Sequence, residues 1–467
     1  MNSSLFTRRH LLARAAGGFG SVALAHLLAE TSRAESVQAS NPLAPRPVHH
    51  PAKAKNVIFL FMSGGVSHMD SFDPKPKLTT NHNQELTVNY FRGKTGEFKM
   101  YLKQANFAFQ PGGTCQTEIS DLFPKVRSMA DDLCVIRSMV SDHPAHFNSV
   151  LGMHTGSFTF ARPSIGSWAS YALGTENQNL PSFMVLAPHS PYAGAQNWSS
   201  DFLPAYHQGS LIEPGPHPIA DIQRAVDPSR QEIELGLLNE LNNQFAEQTG
   251  ADSTLEGRIR SFETAFAMQD AAPEAFDLSQ ETEATHKLYG LTPGQTTGFG
   301  WQCLMARRLV ERGVRFVELI DTGSSNNWDH HGDMNEHAKL AQNVDQPIAA
   351  LLADLKQRGM LDETLVVWTT EFGRAPFNAG PDMGGREHHQ FAFSSWLAGG
   401  GVKPGMVYGR TDELGEQVVE NRVHVHDFHA TIMHLLGLDH ERVTFRHAGR
   451  DYRLTDVHGR VVKEILA

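Results

Sequence analysis

Apolar residues in this chain fall into short unbroken runs separated by helical stripes. Asn56-Val57-Ile58-Phe59-Leu60-Phe61-Met62 is the first run, and Ser63-Gly64-Gly65 closes it. A run with no polar alternation predicts a strand buried on both faces, as in a parallel sheet. Leu133 to Val140 and Phe183 to Leu186 repeat the pattern. The clearest stretch is 301–372. Cys303 to Arg312 reads as a helix stopped by Gly313, and Val314 to Ile320 as a strand. Leu340, Val344, Ile348, Leu351, Leu352 and Leu355 then share one helical face, with Gly359 as the stop and Leu365-Val366-Val367-Trp368 as the next strand. Pro347 inside that helix predicts a kink or restart. Alternating helices and strands with short connections predict parallel strands and right-handed crossovers, an α/β fold.

Two regions break the pattern. Residues 190–295 are polar and rich in Gln and Glu, with helical periodicity from about Asp221 to Met268, and read as a helical insertion or cap. Residues 36–54, rich in Pro, Ala and Ser, read as a linker. Ahead of it, Thr7-Arg8-Arg9-His10-Leu11-Leu12 and the Gly/Ala-rich stretch Ala15 to Ala29 read as a twin-arginine export signal over residues 1–35. This predicts a periplasmic or extracellular protein delivered by the twin-arginine machinery. No later stretch is apolar enough to span a membrane.

Composition narrows the chemistry. A net charge of -11 argues against nucleic acid as the main partner. The three cysteines, Cys115, Cys134 and Cys303, form no CxxC pair and read as buried small hydrophobes rather than thiolate metal ligands. The 25 histidines stand out because many are grouped, and imidazole binds divalent metals and carries protons.

Ligands bind at the carboxyl ends of strands in open parallel sheets. Four predicted strands end in chemistry-bearing residues. They lead to Ser67-His68-Met69-Asp70, to Asp142-His143-Pro144-Ala145-His146, to Asn327-Trp328-Asp329-His330-His331, and to Thr370-Glu371-Phe372-Gly373-Arg374. Gly385-Arg386-Glu387-His388-His389 follows. His424 and His426 then precede a helix for which Asp427 reads as the N-cap and Gly437 as the stop. His154 and His434 read as structural.

The segments Gly64 to Pro76, Asn148 to Gly156, Thr370 to Arg374, Trp396 to Gly401 and Val423 to Leu438 together resemble the bacterial domain-of-unknown-function 1501 family, often labelled sulfatase-like. The resemblance covers nearly everything after residue 50. It implies an alkaline-phosphatase-like three-layer sandwich with a mainly parallel central sheet. It also implies one or two divalent metal ions (Zn, Ca, Mg or Mn) acting on an anionic sulfate or phosphate ester, a sulfated saccharide among them. By that resemblance the metal ligands come from Asp70, Asp329, His331, Glu371, His388, His389 and His426. Arg374 and Arg386 hold the anion through guanidinium forks. The sequence departs from the superfamily at Ser63, where a metal-binding Asp is usual, and at Phe372, which replaces a ligand. Where a Ser, Thr or Cys nucleophile is usual it offers His146. A catalytic His146, a water and Ser149 are therefore all open as the attacking group. The rival expectation is a non-catalytic exported protein that keeps the fold for binding.

Overall fold

The computed structural model describes residues 43–467 except 92, 178, 220–221, 223–226, 251–252 and 324–326. The twin-arginine segment and most of the linker lie outside the described residues. Residues 43–45 belong to a separate unit, and residues 46–467 form one compact unit of their own.

The first apolar run forms strand β1 (Asn56–Met62), the centre of a nine-stranded sheet. In chain order the other elements used here are β2 (Glu85–Phe91), β3 (Lys94–Leu102), β4 (Leu133–Val140), β5 (Phe183–Leu186), β6 (Ser210–Ile212), β7 (Phe316–Asp321), β8 (Thr364–Thr369), β9 (Gly373–Arg374), β10 (His388–His389), β11 (Phe393–Ala398), β12 (Met406–Tyr408) and β13 (Val423–His424). The sheet order is β12-β4-β11-β8-β1-β7-β5-β6, with β13 also paired to β4. β1 pairs in parallel with both β7 and β8, and only β11 runs against its neighbours. The sheet is thus mainly parallel, as the unbroken apolar runs require.

Both faces are buried, so alternate residues of β1 serve different cores. Ile58, Leu60 and Met62 join one cluster with Trp301, Leu304, Val344 and Leu351. Those side chains come from helices α5 (Phe299–Glu311) and α6 (His337–Gln357). Val57, Phe59 and Phe61 join the other cluster with Trp168, Phe428 and Ile432, from α2 (Ile165–Leu173) and α7 (Val425–Leu435). Helix–sheet–helix layering follows directly. The remaining helices are α1 (His146–Thr155) and, within 190–295, the pair α3 (Pro228–Thr249) and α4 (Ser253–Phe276). No helix among the described residues is long and apolar enough to cross a membrane. All three cysteines are free thiols.

Two local expectations change. α6 runs through Pro347 as one element; the carbonyl deprived of its partner belongs to Asn343, on the exposed side, where water can serve it. The N-cap of α7 is His424, not Asp427. His424 Nδ1 accepts from the His426 N–H, and Asp427, three residues in, accepts from the His424 N–H, closing a capping box.

Candidate metal centre

The carboxyl ends of β1, β4, β7 and β8 meet at one point. β1 delivers Gly64 and Gly65, β4 leads into α1 and its first residue His146, β7 leads to Asp329, and β8 to Glu371. The approach is close enough to require glycine. Gly64 has φ +118°, and a Cβ there would lie 2.6 Å from Trp328 N and 2.8 Å from Asp329 N. Its N–H donates to both oxygens of Glu371, at 2.9 and 3.1 Å.

Asp329 is the hub. His331 Nε2 and His388 Nε2 lie 2.9 and 3.0 Å from its Oδ1, and 3.0 Å from each other. His146 Nε2 lies 3.2 Å from Oδ2 without hydrogen-bond alignment, leaving that buried nitrogen without a partner. Arg374 Nη2 donates to Oδ1 at 2.7 Å. One ligand atom each from His146, Asp329 and His388 falls within 4.8 Å of the others, close enough to hold a metal ion.

The far nitrogen of each imidazole faces an acceptor. His146 Nδ1 sits 2.6 Å from Glu371 Oε1, His388 Nδ1 2.8 Å from the Pro144 carbonyl, and His331 Nδ1 3.1 Å from Glu387 Oε2. Carbonyls and carboxylates only accept, so Nδ1 of both His146 and His388 carries a proton, and Nε2 of each is turned toward Asp329. Burial opposes charge on His146, but its contacts with Asp329 and Glu371 raise its pKa above the ordinary value. Burial pushes His388 down to about 4, so it stays neutral. Burial opposes the charge on Asp329, but the surrounding imidazoles and Arg374 hold its carboxyl far below the usual range. Burial likewise opposes Glu371, and His146 holds its pKa down. Hydrogen bonds to Asp329 and Glu387 raise His331 to about 9, so His331 is protonated at neutral pH.

Aromatic rings wall the site. Tyr192 stacks on His146 with centroids 4.5 Å apart and planes 7° apart, and Phe372 packs on His146 and His388 at 4.8 and 4.7 Å. Tyr192 and Glu387 were not among the expected site residues. Glu387 stood inside a quoted motif, whereas Tyr192 lies in a polar loop with no periodic signal.

The structure brings together His146, Asp329, His331, Glu371, His388 and Arg374 but leaves other expected residues elsewhere. Asp70 is sealed in a buried pair with Arg386: Arg386 Nε donates to Oδ2 at 2.7 Å, Ser67 Oγ donates to the same oxygen, and Asn106 N donates to Oδ1 at 2.9 Å. Arg386 is 0% exposed, and its other donors go to the carbonyls of Ala375, Lys103 and Gln104. Arg374 is also 0% exposed, binding the carbonyls of Gly64, Gly65, Trp328 and Arg386 besides Asp329. His389 points away and bonds the Glu416 carbonyl. His426 donates from Nε2 to the Gly156 carbonyl at 2.8 Å, at the end of α1. The Ser149 hydroxyl is taken by the His143 carbonyl and by Ser141 Oγ.

Residues 54–466 match the profile of a family described as a protein of unknown function (DUF1501). No curated protein matches. Among solved structures, a protein in the alkaline phosphatase superfamily from Vibrio parahaemolyticus is 9% identical, with 91% of this chain and 73% of that chain covered, at a TM-score of 0.38. The PsFucS1 sulfatase from Pseudoalteromonas sp. is 13% identical over 83% and 68% of the two chains, at 0.36. A phosphonate monoester hydrolase from Silicibacter pomeroyi is 11% identical over 88% and 76%, at 0.34.

Proposed function

The chain belongs to the DUF1501 family, and on that premise we propose that it is an exported, metal-dependent hydrolase of sulfate or phosphate esters on an alkaline-phosphatase-like fold. The supporting observation is a set of donor atoms that converge closely enough to hold a cation. His388 and His146 turn Nε2 toward the ionised Asp329 carboxylate at 3.0 and 3.2 Å, and the His146 nitrogen is buried there without a hydrogen-bond partner. The residues fit a divalent ion held by His146, Asp329, His388 and His331, with His146 and His331 binding it as neutral rings. Glu371, Glu387 and the Pro144 carbonyl hold the rings in the ligating tautomer from behind. Glu371 is thus an orienting group, not a ligand.

A bound divalent ion would polarise the ester oxygen and activate water. The chain's own contribution is placement. Arg374 neutralises part of the charge on Asp329 and fixes its rotamer, so its guanidinium does not hold the substrate anion. With Ser149 engaged elsewhere and both nitrogens of His146 committed, we assign the attack to water. It enters beside His331, whose side chain is 33% exposed. Export rests on the Arg8-Arg9 leader.

The second reading, a binding protein without catalysis, draws on Arg374: its 2.7 Å bond already offsets the negative charge of Asp329. Elemental mass spectrometry of the purified protein, followed by nitrophenyl sulfate and phosphate assays, separates the two. Bound Zn, Ca, Mg or Mn with ester turnover supports the hydrolase. Protein that neither holds nor takes up divalent ions favours the binding reading.

A further inference from the structure

Helix α3 presents to water the side that an amphipathic helix normally buries. Its half-buried positions are Gln231, Leu235 and Asn242, and Gln231 Nε2 donates to Gln269 Oε1 of α4 at 2.9 Å. Ile233, Leu237, Leu241 and Phe245 recur at every fourth position, with Leu238 beside them. At 3.6 residues per turn that stripe is centred roughly 120° around the helix from the half-buried positions. All five of its side chains are exposed, from 53% at Phe245 to 73% at Ile233.

A contiguous apolar stripe of this size marks a contact surface. At roughly 200 Å² for a fully exposed side chain of this size, the five leave about 600 Å² open, against about 800 Å² per partner in a standard interface. The stripe is a ridge on a helix, not a cavity, so its complement is another helix. Side chains four apart form ridges, and two such ridges interdigitate in the commonest class of helix pair. A second copy of α3 supplies that ridge at the same spacing. A two-fold axis at the middle of the stripe brings Leu237 and Leu241 of both copies to the crossing, the self-matching contact that two-fold symmetry requires. Arg230 and Glu234, the charged residues on this side of α3, already pair at 2.8 Å, so the face meets its copy without net charge. A lipid surface fits less well. Glu232, Glu234, Glu240 and Glu247 outnumber Arg230 along the helix, whereas membrane-surface helices carry basic flanks.

We propose that the chain forms a two-fold dimer through this stripe of α3. The contact uses no residue of the metal centre. Sedimentation equilibrium of the full chain at micromolar concentration tests it, and the wild type is expected to be dimeric. Leu237→Glu with Leu241→Glu changes two exposed positions, so the circular dichroism of the fold is kept while self-association weakens about 100-fold. Should that variant fail to fold, a cysteine decides the matter: Leu237→Cys forms a covalent dimer on mild oxidation, and Val457→Cys, exposed in another part of the chain, does not. A monomeric wild type overturns the dimer, and binding of that monomer to anionic vesicles would assign the stripe to a membrane instead. A dimer that survives in folded Leu237→Glu with Leu241→Glu, or Leu237→Cys that yields no covalent dimer, overturns it equally.

Discussion

His146 and Glu371, 225 residues apart in the chain, meet at 2.6 Å in the interior, where Glu371 is 0% exposed. One residue opens α1 and the other follows β8, so the contact exists only because β11 pairs with both β8 and β4, the strand that leads into α1, and holds their ends near each other. The remaining capacity of Glu371 is taken by the Gly64 N–H and the Thr370 hydroxyl. The contact turns Nδ1 of His146 to Glu371 and leaves Nε2 toward Asp329.

Replacing Glu371 with Gln keeps the size and hydrogen-bonding capacity but lets His146 adopt the other tautomer. Loss of such a carboxylate partner typically costs about 10–100-fold in metal affinity. The expected result is a folded protein with metal affinity lowered by about that range, read by competition with a chelating dye. Undiminished affinity refutes the orienting role.

Asp329 is contacted by three imidazoles and Arg374, so its removal differs in kind. Asp329→Ala takes away a ligand and leaves Arg374 buried without its carboxylate, a loss that destabilises by several kcal/mol in comparable buried pairs. Asp329→Asn keeps the shape and loses only the charge. Both variants are expected to lack metal by elemental analysis. The Ala form should melt lower than the Asn form. Metal retained by folded Asp329→Asn would remove Asp329 from the ligand set.

The mainly parallel sheet was legible because burial on both faces leaves unbroken apolar runs, as in β1 and β8. The strand-end rule also located His146, Asp329 and Glu371. What sequence could not reveal was direction. Arg386, Glu387, His388 and His389 are consecutive. Yet extended backbone sends His388 toward Asp329 and His389 toward Glu416, while Arg386 turns to Asp70. Resemblance supplied a late histidine as ligand and suggested His426, but capping geometry gives it another task. Tyr192 reaches the site from a loop whose path no periodicity encodes.

His426 tests that distinction. Its Nε2 caps the Gly156 carbonyl, and neighbouring His429 donates to the Met153 carbonyl at 2.7 Å, so α7 satisfies two orphan acceptors at the end of the helix that presents His146. His426→Ala leaves the Gly156 carbonyl without its donor and should cost about 1–3 kcal/mol in denaturant unfolding. Metal content should remain that of the wild type under native conditions. Metal loss in the folded variant would place His426 back at the centre.

Acid sensitivity should come partly from histidines far from the centre. His207 is 1% exposed, bonded through Nδ1 to Ser170 Oγ at 2.8 Å and packed edge-on against Tyr171. Burial, with a smaller contribution from Arg46, lowers its pKa from 6.5 to about 3. Between those values the unfolded chain binds a proton that the folded chain does not, so stability falls as pH drops through 6.5 toward 3. At pH 5 the loss from this residue is about 2 kcal/mol. His207→Asn removes the titration but also the ring's packing, so it should be less stable than wild type at pH 7. Its deficit should shrink by about that amount at pH 5, measured by urea unfolding of chelator-treated protein to keep the metal centre from contributing. A deficit equal at both pH values would show that His207 is protonated inside the fold.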